Sequence, residues 1–154
     1  MEQRRGQTWL FVLAGGLVVG TLDIIYACGF WWLKSGVPPV RILQSISAGV
    51  LGQASFAGGS ATAALGFVLH YFIATSMSVV YYLVSRTWPA LRQQPWLYGA
   101  AYGTLLYVVM NYVVVPLSAA RPSPTDPLWV GCSILVHILL IGIPIALFAR
   151  RAAA

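Results

Sequence analysis

Of the 154 residues, 59% are apolar and only nine Lys/Arg and three Asp/Glu are charged. Soluble domains carry about 25% charged residues; a share of 8% cannot cover a water-facing surface, which excludes a soluble globule, and the apolar content excludes disorder. The formal net charge of +6 calls for no nucleic acid, because arginines beside anionic lipid headgroups account for it.

Charge-free runs cover 42–85, 93–120 and 127–149, and 6–33 holds one charge, Asp23. A bilayer crossing needs about 20 apolar residues. It must be helical, because lipid offers backbone groups no hydrogen-bond partner. The predicted fold is therefore all-α: one polytopic transmembrane domain over 1–154, with spans at about 9–33, 60–85, 96–118 and 127–149. The Arg4-Arg5 start fits a signal-peptide n-region, but the apolar stretch after it is too long and contains Asp23, so span 1 is expected to be retained. Pro38-Pro39 ends it.

The segment 35–59 mixes Gln44, Ser45, Ser47, Gln53 and Ser55 with Ile42, Leu43, Ile46, Val50 and Leu51. It reads as an outer amphipathic helix, interfacial or re-entrant, with Arg41, Gln44, Ser45 and Ser55 near one side; a fifth span is the competing reading. Pro89 and Pro95 separate spans 2 and 3, and Pro122, Pro124 and Pro127 separate spans 3 and 4. Thr125-Asp126-Pro127 reads as a cap followed by proline at the first helical position. Pro116 and Pro144 lie within spans 3 and 4, where each frees the carbonyl four residues earlier, at Tyr112 and Leu140.

Orientation follows from the basic residues. With the N-terminus inside, Arg4, Arg5, Arg86, Arg92, Arg150 and Arg151 lie on the inner side and Lys34, Arg41 and Arg121 on the outer. That asymmetry predicts cytoplasmic N- and C-termini in a bacterial inner membrane.

Each span contributes one side chain that is not apolar filler: Asp23, His70, Asn111 and His137. At 1.5 Å per residue they fall about 10–15 Å below the outer surface, in one layer. A lone carboxylate at such depth costs at least ~2.5 kcal/mol, so Asp23 is expected to protonate or to pair with an imidazolium. The layer is open to three readings: hydrogen-bonding glue between helices, a proton or ion site whose members titrate as a coupled unit, or a cofactor site. In the last, His70 and His137 are candidate axial ligands of a b-type haem. No ligand spacing supports a metal centre. Small residues at spacings of four mark packing faces at Gly16, Gly20, Gly66, Gly99 and Gly103, and Leu17, Leu69, Phe72, Val79, Val109, Leu135 and Leu139 are expected to face lipid. Cys28 and Cys132 share a depth and read either as inert buried thiols or as an oxidised pair.

Gly66-x3-His70, the exit Arg86-Thr87-Trp88-Pro89, Gly99-x3-Gly103, Val115-Pro116-Leu117 and His137 in mid-span 4 follow one another in an order that resembles a bacterial inner-membrane family of unknown function typified by YagU. The resemblance covers 60–149. It implies a compact multi-span membrane protein, gives weight to His70 and His137 as shared features, and implies no activity.

No nucleophile–base set, phosphate loop or nucleotide fingerprint is present, so no enzyme is expected. The cofactor is left open. The expected function is permeation or sensing of protons or a small solute through the polar layer. A structural or assembly subunit of a larger complex is the rival, and a haem-binding redox subunit the third reading. Expected partners are anionic lipid and, because four helices enclose little volume, a second copy or a larger membrane complex.

Overall fold

The computed structural model describes residues 2–153, with side chains from residue 6 onward. It consists of α1 (Glu2–Ser35), α2 (Pro39–Leu51), α3 (Gly59–Thr87), α4 (Ala90–Gln93), α5 (Pro95–Val109), α6 (Val115–Leu117), α7 (Pro127–Val136) and α8 (Ile143–Ala152). A 3₁₀ turn, Gly52–Ala57, follows α2, and π-helical turns join α5 to α6 (Met110–Val114) and α7 to α8 (His137–Gly142). No strand occurs among the described residues. Four helices are long and apolar enough to cross a membrane: Gly6–Ser35, Gly59–Thr87, Pro95–Leu117 and Pro127–Ala152. The fold is an all-α, four-helix membrane architecture.

Local chemistry sets the ends. At the end of α1, Gly36 adopts φ +66°. Its N–H donates to Trp32 O, the bond of an αL cap, and that of Val37 donates back to Trp31 O. At the start of α7, Asp126 Oδ1 accepts the Trp129 N–H at 2.9 Å with Pro127 at the first helical position.

Interhelical contacts give the topology. Gly16 lies against Thr75, Gly20 against Tyr71 and Ala74, and Ser78 Oγ donates to Val12 O, so α1 and α3 run antiparallel. Gly15 meets Phe148 and Tyr26 meets Ser133, so α1 is also antiparallel to the α7–α8 span. Gly99, Gly103 and Gly142 bring α5 against that span. Both ends of the described chain therefore lie at the same end of the bundle, with α8 at its centre: Ile145 and Ala146 are fully buried. The core there joins Val12, Tyr81, Leu91, Leu106, Ile145 and Ala149. Tyrosines tie α3 to its neighbours, with Tyr102 Oη donating to Met77 O at 2.8 Å and Tyr81 Oη to Leu91 O at 2.9 Å.

Two expectations need correction. The residues expected near one side of 35–59 divide: Arg41 and Ser45 are exposed, and Gln44 and Ser55 are buried. Gln44, Ser47 and Ser55 are buried: Gln44 Nε2 donates to Gly59 O, Ser55 Oγ to Gln44 O, and Thr62 Oγ1 to Ser55 O. Val50, by contrast, is 65% exposed. Ile42, Leu43 and Ile46 are half-buried, so α2 does not separate into a polar and an apolar face. Among the residues expected to face lipid, Leu17, Phe72, Leu135 and Leu139 are exposed. Leu69 and Val109 are half-buried, and Val79 packs against the core.

Both in-span prolines follow a π-helical turn. Proline lacks an N–H and its ring clashes with the carbonyl four residues back. Widening the preceding turn to five residues relieves that clash without breaking the span. Asn111 lies within the first π turn and His137 begins the second.

Candidate functional site

Asp23, on α1, lies within electrostatic reach of His137 and His70. It is half-buried and accepts no hydrogen bond from any described residue. His70 reaches across from α3, with its Nε2 2.7 Å from Gly20 O. His137 Nδ1 lies 2.8 Å from Ser133 O, one turn back on its own helix. Each acceptor is a carbonyl, so in each case the ring nitrogen donates. That fixes the tautomers: neutral His70 keeps its lone pair on Nδ1, and neutral His137 keeps its lone pair on Nε2. One carboxyl group and two imidazole nitrogens therefore remain uncommitted in one region of the bundle.

Ser133 and Tyr26 define the level. Tyr26 Oη and Ser133 Oγ are 3.1 Å apart, and His137 is one turn beyond Ser133, alongside Asp23. The His137 ring meets Tyr107 edge-on, with centroids 5.4 Å apart, and His70 meets Tyr71 the same way at 5.5 Å. Tyr71 Oη in turn lies 2.8 Å from Thr21 Oγ1. Toward the end of the bundle away from the chain ends, Tyr26 stacks on Trp129 (5.4 Å, interplanar angle 8°) and Phe30 and Trp31 complete an aromatic group over α1 and α7. Lys34 lies over Phe30 and pairs with Asp126 at 2.5 Å.

Asn111 is not hydrogen-bonded to the other three. Its Nδ2 donates to Tyr107 O on its own helix at 2.9 Å. The layer predicted from depth thus holds a carboxyl and two imidazoles, Asp23, His70 and His137, and an asparagine that closes its own turn. Tyr26, Thr21 and Tyr71 were missed from sequence. Tyrosine and threonine are common near bilayer interfaces, and nothing in the spacing distinguishes a site hydroxyl from a boundary one.

No group of three His, Cys, Asp or Glu among the described residues is placed to hold a metal ion. For the haem reading, the geometry leaves His70 only Nδ1, since Nε2 is engaged by the α1 backbone. Cys28 and Cys132 are free thiols, each half-buried.

The glycines set how near the helices come. A Cβ on Gly16 would lie 2.6 Å from Thr75 Cα, and one on Gly99 would lie 2.7 Å from Ile143 Cα. Gly103 faces the His137 carbonyl, so the π turn that carries the histidine rests on α5 backbone. A Cβ on Gly20, whose carbonyl receives His70, would lie 3.1 Å from the Tyr71 ring and 3.2 Å from Ala74 Cβ. Gly66 lies one turn from His70 but packs against the Leu43 carbonyl of α2, so its partner is α2 and not another span. Compared with protein-family profiles, with curated proteins and with solved structures, the chain finds no match, so what the cluster does is argued from its own geometry.

Proposed function

We propose that the protein is a multi-span inner-membrane protein whose Asp23–His70–His137 cluster takes up and releases protons, and so supports proton-coupled permeation or sensing. One observation carries the reading: an Asp in mid-span, with no hydrogen bond from any described residue, lies within electrostatic reach of two imidazoles, each anchored to a backbone carbonyl through one nitrogen. Anchoring fixes each ring and leaves its second nitrogen for a proton. A carboxyl and two imidazoles so placed offer a proton three places to bind. Intramembrane ionisable residues of this kind mark proton and ion paths. The YagU-like order of motifs is consistent with such a membrane protein and adds no chemistry to it.

The competing reading, a structural or assembly subunit, draws on the same two bonds, since His70 to Gly20 O also ties α3 to α1. Asp23→Asn separates them. The substitution keeps the volume and removes the charge. In proteoliposomes carrying a pH gradient, the wild type is expected to dissipate the gradient and the variant to lose that activity while its melting temperature stays within a few degrees. Unchanged flux with a lowered melting temperature would assign the cluster to helix adhesion instead. The visible spectrum of the purified protein tests the haem alternative directly, through a Soret band.

A further inference from the structure

At the end of the bundle that carries both chain ends, α4 meets the last turn of α8. There Pro89, Arg92, Gln93, Arg150 and Ala153 line an open pocket of about 450 Å³. Arg92 is half-buried, and its Nε is shielded from solvent without any hydrogen-bond partner. A guanidinium has donors and no acceptor; the shielded Nε is closed to any ligand, but the pocket is open, so the Arg92 and Arg150 guanidinium groups that line it are donors for an anion from solvent. The described carboxylates do not pair with them: Asp23 lies in mid-span and Asp126 pairs with Lys34 at the opposite end. The α8 C-terminus contributes roughly half a negative charge, which two guanidinium groups outweigh.

The ligand chemistry follows from the donors. Guanidinium groups match phosphate oxygens through paired N–H···O bonds, and Gln93 adds a neutral amide on the same wall. The pocket lies just beyond the end of the Gly59–Thr87 span and beside the end of the Pro127–Ala152 span, at the level where headgroups meet water. Trp88 and Trp96, both exposed on either side of α4, suit that level as well. We infer that the Arg92–Arg150 pocket binds a phosphate group, the chemistry shared by an anionic phospholipid headgroup and free inorganic phosphate.

The test is calorimetric titration of the detergent-purified full chain with three probes: short-chain phosphatidylglycerol, short-chain phosphatidylcholine and inorganic phosphate. Phosphatidylglycerol is expected to bind, and phosphatidylcholine to bind at least about tenfold more weakly. Arg92→Gln and Arg150→Gln should each weaken binding about tenfold, the effect of losing a charge-assisted hydrogen bond. Arg86→Gln, exposed on α3 and outside the pocket, should leave it unchanged. Arg150 is exposed, so its variant tests the site even where Arg92→Gln impairs folding. Inorganic phosphate binding with the same arginine dependence assigns the site to the free anion as well; phosphatidylglycerol alone assigns it to the headgroup. Binding of neither, equal binding of both lipids, survival of binding in Arg150→Gln, or an equal loss in Arg86→Gln overturns the inference.

Discussion

The Lys34–Asp126 pair joins the end of α1 to the start of α7, and the same carboxylate caps α7 at the Trp129 N–H. Lys34, first, and the Trp129 N–H, second, hold the Asp126 carboxyl below its ordinary value of 3.8. A carboxyl lowered by folding adds stability that is fully present above the unfolded value and is lost as the pH falls through the folded one. The pair is solvent-exposed, so the effect is small and salt-sensitive. Asp126→Asn keeps a capping oxygen and loses the ion pair, whereas Asp126→Ala loses both. Melting temperatures near neutral pH should rank wild type, then Asn, then Ala. Wild type and Asn should converge below about pH 4, while Ala stays lowest. A difference between wild type and Asn that persists unchanged at pH 3 would show that the ion pair does not act.

Between elements, distance is set by glycine. Around Gly99, Gly103 and Gly142 the backbones of α5 and the last span meet directly, and a Cβ on Gly142 would lie 2.5 Å from Gly103 N. Backbone cannot swing aside as a long side chain can, so overpacking here should cost about 1–3 kcal/mol or more. Gly103→Ala or Gly142→Ala should therefore lower thermal stability or yield in detergent, while Gly131→Ala, with open space around it, should be tolerated. Equal tolerance at all three would mean that α5 and α8 lie further apart. Such contacts were legible in sequence at Gly16, Gly20, Gly99 and Gly103, because a residue without a side chain every fourth position in an apolar run has few uses other than close approach. The partner was not legible: Gly66 belongs to the same stripe as His70 yet meets α2. Nor was the burial of Gln44 and Ser55, since periodicity places residues on a face without saying which of them meet protein. The prolines announced a defect at Tyr112 and Leu140, and the π turns that absorb it depend on how the neighbouring helix packs. At the site, depth arithmetic placed Asp23, His70 and His137 together, but it could not tell that Asn111 would close on Tyr107 O.

At the scale of the whole molecule, the exterior is apolar where the spans run, with Leu10, Leu17, Phe72, Leu105, Leu135 and Leu139 all exposed, as a lipid-facing surface requires. Four antiparallel helices return the chain to the end where it began, and α2, Pro39–Leu51, is not among those long and apolar enough to cross a membrane. Gly15 against Phe148 and Tyr26 against Ser133 fix this independently of hydropathy. Which side that end occupies then depends on charge alone. It carries Arg86, Arg92, Arg150 and Arg151, in addition to Arg4 and Arg5 from the sequence, against Lys34, Arg41 and Arg121 at the other end, where Lys34 is neutralised by Asp126. The bias predicts a cytoplasmic location for both termini. A compartment-sensitive reporter fused after Ala154 should show cytoplasmic behaviour, and a second fused ahead of Met1 should agree with it. Opposite readings from the two fusions would require an odd number of crossings and make 35–59 a span. Agreement on the periplasmic side would keep the fold, reverse its orientation, and move the Arg92–Arg150 pocket to the outer leaflet.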